Sequence, residues 1–336
     1  MATAPQNPTI YQVAEKAGVS ISTVSLAINH PQRVSAETRA RVIAAATEVG
    51  YAPPTRTPGS ARPGHHTVAV IAPFSSWPSY ALRLGGLLQG FSKDNVEVLV
   101  KDVPAVNLNA APLLDTLPIN TRYDAVVLMG VPLSESAEES LAGGRMPVLL
   151  VDVDSDLLPT IVEDDERDGR ILARHLVAQG HRVVAFLHDH QESFEYVSSG
   201  IHRLDGAREV INAAGGRMEA IELDSTDAGD ALRRILSSGA TAVIASTDSN
   251  AGYLLAAMRR AGLEAPTDLS VAGFDDGPLA EALGLTTISQ PFQESGRVAA
   301  AQLSSMLQGN AIHLTRLTLS GTLVVRASTR EVVAED

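Results

Sequence analysis

The sequence predicts two architectures in one chain: an all-α helix-turn-helix headpiece, then an α/β two-lobed domain built of doubly wound parallel sheets. Three observations carry the prediction. Residues 9–50 hold three short helical segments with a glycine turn between the first two. Residues 53–64 are dense in proline and glycine. Beyond them, short continuous apolar runs alternate with helical segments, which is the pattern of parallel strands covered on both faces.

Taken in order, Thr9 caps a helix that runs to about Ala17, with Ile10, Val13 and Ala14 on one face. Gly18-Val19-Ser20 is a turn, and a second helix follows from Ile21 to Asn29 with Val24 and Ile28 inward. Ser35 caps a third helix, with Glu37 in its first turn and Gly50 just past its end. The stretch from Pro53 to Gly64 reads as a linker. Strand-like runs then fall at 67–72, 96–101, 124–129, 148–152, 183–188, 220–223, 242–246 and 271–274. These are too many for one compact sheet, so two lobes are expected. A last helix over 292–307 and strands at 315–319 and 322–326 are expected to pass back between them. The domains are therefore drawn at 1–52, 53–65 (linker) and 66–336.

Composition narrows the function. The net charge is −13, yet the first 64 residues carry six basic and three acidic side chains, or +3, leaving −16 on the rest. A mildly basic head on an acidic body suits a head that meets phosphates. With no cysteine there are neither disulfides nor thiolate metal sites, which is compatible with a reducing cytoplasm. No run reaches the ~18 apolar residues of a membrane span, and residues 1–8 carry neither the basic patch nor the apolar core of a secretory signal. No phosphate loop, Ser-His-Asp order or H-E-x-x-H motif is present, so no enzyme is expected. His188-Asp189-His190 has two histidines but no third ligand in view, so no metal or cofactor is expected. His65-His66 reads as linker, and Glu163-Asp164-Asp165-Glu166 as a solvated helix start.

Helix, glycine turn, helix is the geometry that seats a second helix in the DNA major groove. Ala14, Val19 and Val24 lock the helices together, while small hydroxyl residues at 20, 22, 23 and 25 keep the second one slim. The run from Thr9 to Asn29, with Val34-Ser35-Ala36-Glu37-Thr38-Arg39 and Gly50-Tyr51, resembles the head of the lactose-repressor (LacI/GalR) family. The resemblance implies a DNA-binding transcriptional regulator. It assigns base reading to Ile21, Ser22 and Leu26, and backbone positioning to Thr9, Ser20, Thr23, Ser25, Asn29, Ser35, Thr38 and Tyr51. Two residues depart from the family pattern. Gln12 replaces an aspartate, a change read as structural. Leu26 replaces an arginine that pairs bidentately with guanine; leucine touches only a thymine methyl, so a half-site read partly through thymines is expected. The family's hinge helix is also broken. Pro54 and Ser60 replace its usual Asn and Leu, and Pro58-Gly59 falls mid-helix, where proline costs roughly 3 kcal/mol. No regular hinge helix and no leucine wedge are expected. Arg56 and Arg62 either line the minor groove or stand as solvated linker charges.

The resemblance continues through Asp164-Asp165, His175-Leu176, Gly180-His181-Arg182, Arg203-Leu204-Asp205-Gly206, Ala272-Gly273-Phe274-Asp275-Asp276, Leu285-Thr286-Thr287-Ile288 and Val325-Arg326-Ala327-Ser328-Thr329. It implies a periplasmic-binding-protein-like body with a small-molecule effector between two lobes, and a homodimer on pseudo-palindromic double-stranded DNA. Sugar hydroxyls need paired acceptors and forked donors, which points to Asp275 after a strand and to Arg203, taken to open a helix. Alignment adds Asp152, Thr247 and Asp248. Phe74 and Trp77 follow the first strand of the body and are candidates to stack on a ligand face. For each the plain alternative is structural: Asp275 as a turn cap, Arg203 paired with Asp205, the aromatics as core. A sugar or polyol is the expected effector. The alternatives are a nucleoside, a phosphorylated metabolite or a protein co-regulator, and, from another class, a sugar-binding receptor.

Overall fold

The computed structural model describes residues 8–51, 65–103, 117, 123–144, 146–189, 198–223, 228–310 and 316–332. The linker expectation and Arg56 lie outside the described residues. Helices α1 (Ile10–Ala17), α2 (Ile21–Asn29) and α3 (Ala36–Val49) stand where the capping residues and glycines put them. Gly18 and Gly50 end α1 and α3 in the left-handed conformation, at φ 63° and 66°. The three helices close on a small core of Val13, Ala14, Ala17, Val24, Ala27, Ile28, Val42, Ala45, Ala46 and Tyr51.

The chain divides into two units, 1–162 with 292–317 and 163–291 with 318–336. In the first, beyond the head, lie β1 (His66–Ala72), α4 (Pro78–Gly90), β2 (Val96–Asp102), β3 (Ala125–Met129), α5 (Glu135–Ala142), β4 (Val148–Val151), β5 (Thr160–Glu163), α11 (Phe292–Leu307) and β11 (Arg316–Leu319). The sheet order is β11-β5-β4-β3-β1-β2, and β2 through β5 run parallel. The second unit holds α6 (Asp165–Ala178), β6 (Val183–His188), α7 (Ser199–Ala213), β7 (Arg217–Glu222), α8 (Ala228–Ser237), β8 (Ala242–Ala245), α9 (Asp248–Arg260), β9 (Ser270–Asp275), α10 (Pro278–Leu283), β10 (Thr286–Ser289) and β12 (Thr322–Val324). Its order is β12-β10-β9-β8-β6-β7, with only β12 antiparallel to its neighbour.

Alternate residues of each central strand face opposite sides, so both sheet faces need cover. In the second unit Ala185, Leu187, Val243, Ala245 and Val271 pack under α8, α9 and α10, while Val184, Phe186, Ile244 and Phe274 pack under α6 and α7. The doubly wound class thus stands as expected. Three details differ. Strands β5 and β10 are additional, and β7 begins three residues before the expected run. As an edge strand, β7 alternates exposed with partly or fully buried residues instead of running apolar throughout. His66, read as linker, opens β1.

In both sheets the order reverses beside the first strand, between β1 and β3 and between β6 and β8. Loops at the carboxyl ends diverge there, which is where open α/β sheets hold ligands.

Candidate functional site

On the head, Ser20 caps α2 by accepting the Thr23 N–H at 3.1 Å, and its hydroxyl lies 2.7 Å from Ser22 Oγ and 2.8 Å from Thr23 Oγ1. Asn29 donates to the Ser25 carbonyl at 2.9 Å. Ser35 caps α3 and donates to Thr38 Oγ1 at 3.0 Å. The polar residues of this surface therefore hold one another in place. Between them Ile21 and Leu26 stand 41 % and 36 % exposed, aliphatic side chains turned to solvent from a helix without a charged residue. Thr9 is exposed at the start of α1, and its N–H donates to Gln12 Oε1 at 2.8 Å. Gln12 thus serves the helix end, as the reading of that departure expected. Tyr51 is a buried core residue of the head, and burial pushes its phenol pKa up.

In the second unit the centre is Arg203, 5 % exposed. It does not open its helix but sits in the second turn of α7, which begins at Ser199. Its Nε donates to Asp165 Oδ1 at 2.7 Å and its Nη1 to the Ser246 carbonyl at 2.7 Å. The guanidinium lies 4.7 Å from the Phe274 ring centroid, and Nη1 is 3.9 Å from Asp275 Oδ1. Asp205 pairs with Arg208 instead. Asp165 is buried, so the acidic run is a helix start as expected but not a solvated one; Asp164 caps α6 and Asp165 turns inward to the arginine. At the sheet's reversal Asn250 Nδ2 donates to Asp189 Oδ2 at 2.9 Å and to Ser246 Oγ at 3.0 Å. Thr247 spends its hydroxyl capping α9, accepting the Asn250 N–H at 3.2 Å.

Asp275 and Asp276 follow one another with φ of 114° and 59°, in the region that disfavours side chains. Asp248 holds them there. It is 3 % exposed; its Oδ2 accepts the Asp276 and Gly277 N–H groups at 2.8 and 3.3 Å, and its Oδ1 accepts the Thr287 hydroxyl at 2.7 Å. The expectation that Asp248 faces an effector is corrected: its carboxylate is spent on the loop that carries Asp275. Burial, the largest influence, raises its pKa to about 6. Arg326 closes the same loop by donating to Asp276 Oδ1 at 2.6 Å. Gln290, just after β10, is 7 % exposed, and neither atom of its amide has a partner among the described residues. Such a group calls for a ligand or water. Sequence reasoning missed it, as it missed Asp189 and Asn250.

In the first unit Asp152 follows β4 with φ 60°. Its Oδ2 accepts the Tyr80 hydroxyl at 2.8 Å and lies 3.6 Å from Arg83 Nη2. Phe74 and Trp77 are half-buried in the turn between β1 and α4, where Trp77 is the residue before the helix. His188 Nδ1 contacts the Asp189 carbonyl at 2.8 Å, and among the described residues no cluster fit for a metal occurs. No described helix is long and apolar enough to cross a membrane.

Residues 9–54 match a family model described as bacterial regulatory proteins, lacI family, and residues 173–329 one described as a periplasmic binding protein-like domain. The transcriptional repressor CytR of Escherichia coli K12 is 30 % identical over 96 % of either chain. The chain belongs to the LacI family. Another relative, the regulator DegA of Bacillus subtilis, is 29 % identical over 96 % of this chain and 98 % of its own. Among solved structures, a complex of the LacI-type regulator CelR with cellobiose superposes with a TM-score of 0.67 at 26 % identity, covering 96 % of this chain and all of that one. The lac repressor dimer on its operator gives 0.66 at 24 % identity over 97 % of this chain, which shows the shared fold. This LacI-family member is thus a helix-turn-helix transcriptional regulator whose second part is an effector domain.

Proposed function

We propose that the regulator binds a pseudo-palindromic operator as a cytoplasmic homodimer, catalyses nothing, and releases or secures the DNA in response to a neutral polyol, a sugar above all. The head, joined through residues 53–65, reads bases with Ile21, Ser22 and Leu26, while the hydroxyls at 9, 20, 23, 25, 35 and 38, with Asn29, set the backbone register. The observation that carries the effector class is the Arg203–Asp275 set at the carboxyl end of the second sheet. A forked donor and an ionised acceptor side by side suit vicinal hydroxyls. A phosphorylated effector is disfavoured because Arg83, Arg203 and Arg326 already face Asp152, Asp275 and Asp276. A relative's structure with cellobiose supports the sugar reading.

The test is selection of the full-length protein against a randomised duplex pool, with and without a panel of neutral sugars. An enriched inverted repeat that a sugar weakens or strengthens is expected; no repeat under any condition refutes the operator reading. Leu26 and Ile21 add a sharper outcome. Replacing half-site thymines by deoxyuridine removes only methyl groups, and should weaken binding about tenfold at the positions they touch. Leu26→Arg should move that preference to guanine; an unchanged site would dismiss the base-reading assignment.

A further inference from the structure

We propose that Arg83 and Tyr80 are positioning residues for Asp152, fixing the direction of the carboxylate that the family resemblance already assigns to the effector. The inference rests on the polyol reading above and deepens it.

Only three described non-glycine residues have a positive φ: Asp152, Asp275 and Asp276. Each lies at the carboxyl end of a strand and faces an arginine, Arg83, Arg203 or Arg326. Backbone strain that recurs on one residue type, each time opposite a cation, marks placement of a carboxylate. The first unit builds its version with care. Arg83 is 2 % exposed, with its guanidinium 4.3 Å from the Phe292 centroid and 5.2 Å from that of Tyr80. A methyl group at Gly130 would lie 1.7 Å from the Tyr80 hydroxyl, so that glycine, at φ 61°, leaves the phenol its place. Both contacts to Asp152 converge on Oδ2, leaving Oδ1, among the described residues, for a ligand hydroxyl.

A buried cation held 3.6 Å from its partner is a costly way to stabilise a fold. It is an effective way to fix a carboxylate's direction. In the second unit Arg203 and Asp275 stand at 3.9 Å beside Phe274 in the same relation. Arg83, the one charged residue of α4, thus becomes specificity-determining without touching the ligand.

The test uses the full chain and calorimetry with a defined panel: D-ribose, D-glucose, D-galactose, cellobiose, maltose, ribitol and myo-inositol. Wild type, Tyr80→Phe, Arg83→Lys, Arg83→Met, Asp152→Asn and the Arg83→Met/Asp152→Asn double variant are compared, with cooperative melting as the check on folding. With the sugar that wild type binds, Tyr80→Phe should weaken affinity about fivefold and Arg83→Met about thirtyfold, with Arg83→Lys between them. The double variant should lose no more than Asp152→Asn alone, because the arginine acts through that carboxylate; a purely structural arginine gives losses that multiply. Should Arg83→Met fail to fold, wild-type affinity in both Tyr80→Phe and Arg83→Lys overturns the inference while the polyol reading stands. Binding of no panel member by wild type overturns both.

Discussion

The two units hold the same pair of groups in different ways. In the second, Arg203 is gripped by polar partners, with Asp165 and the Ser246 carbonyl both at 2.7 Å. In the first, Arg83 is flanked by the rings of Tyr80 and Phe292 and faces Asp152 at a looser 3.6 Å. Close helix crossings support both: a methyl group at Gly169 would lie 2.1 Å from the Arg203 carbonyl, and one at Gly296 would lie 1.9 Å from that of Arg83. The contrast teaches that a guanidinium can be fixed chiefly by short hydrogen bonds or chiefly between rings, and that the two should fail differently. A tight network broken at one member leaves a buried charge behind; a cation held between rings loses contact area and leaves Asp152, which is partly exposed, without its looser ion pair.

The largest expected effect follows directly. Arg203→Met should cost about 3–5 kcal/mol in urea unfolding, because Asp165 is left buried without its cation. Arg83→Met should cost less than half of that, and equal losses would erase the distinction. Next, Gly169→Ala and Gly296→Ala should each cost about 1–3 kcal/mol, since the neighbour in the way is backbone. A tolerated alanine at either site would mean that crossing is not tight. A smaller effect separates the units by pH. Asp248 and Asp168, both of the second unit, have pKa values raised to about 6, chiefly by burial. A raised carboxyl pKa adds stability that is complete below the unfolded value near 4 and is lost as pH rises through about 6. Wild type should therefore lose on the order of 2 kcal/mol between pH 4.5 and 7.5 relative to Asp248→Asn, whose melting is free of that term. Parallel pH profiles for the two proteins would refute it.

What the sequence made legible is what depends on near neighbours. Caps at Ser20 and Ser35 and the stops at Gly18 and Gly50 act over three or four residues, so the head could be read in full. Strands buried on both faces, such as Ala125–Met129, announce themselves by continuous apolar runs. The four-residue β5 and β10 carry threonines, a glutamate and a serine, and lack the continuous apolar run that marks a buried strand. Asp275 and Arg203 were legible as residue types, but the Asp165 that fixes Arg203 lies 38 positions away. Asp248 looked like a ligand group because alignment places it beside Thr247; only its burial under Asp276 and Gly277 reveals its other duty. Arg83 passed unnoticed, as an arginine amid leucines reads as a solvated helix charge until the Tyr80 and Phe292 rings are seen around it.

The head's plain surface has a consequence for the ionic conditions it tolerates. Among the described head residues Lys16 faces Glu48, and Arg39 is buried with its guanidinium donating to the Pro31 carbonyl at 3.3 Å. That leaves Arg33 and Arg41 as the exposed arginines, and α2 brings no cation at all. Affinity that rests on hydroxyls, backbone N–H groups and aliphatic contact releases few counterions. With each neutralised phosphate adding about 0.9 to the slope of log affinity against log salt, the two exposed arginines of the described head residues add little to that slope. The part of the grip that these described residues supply should change little through swings in potassium.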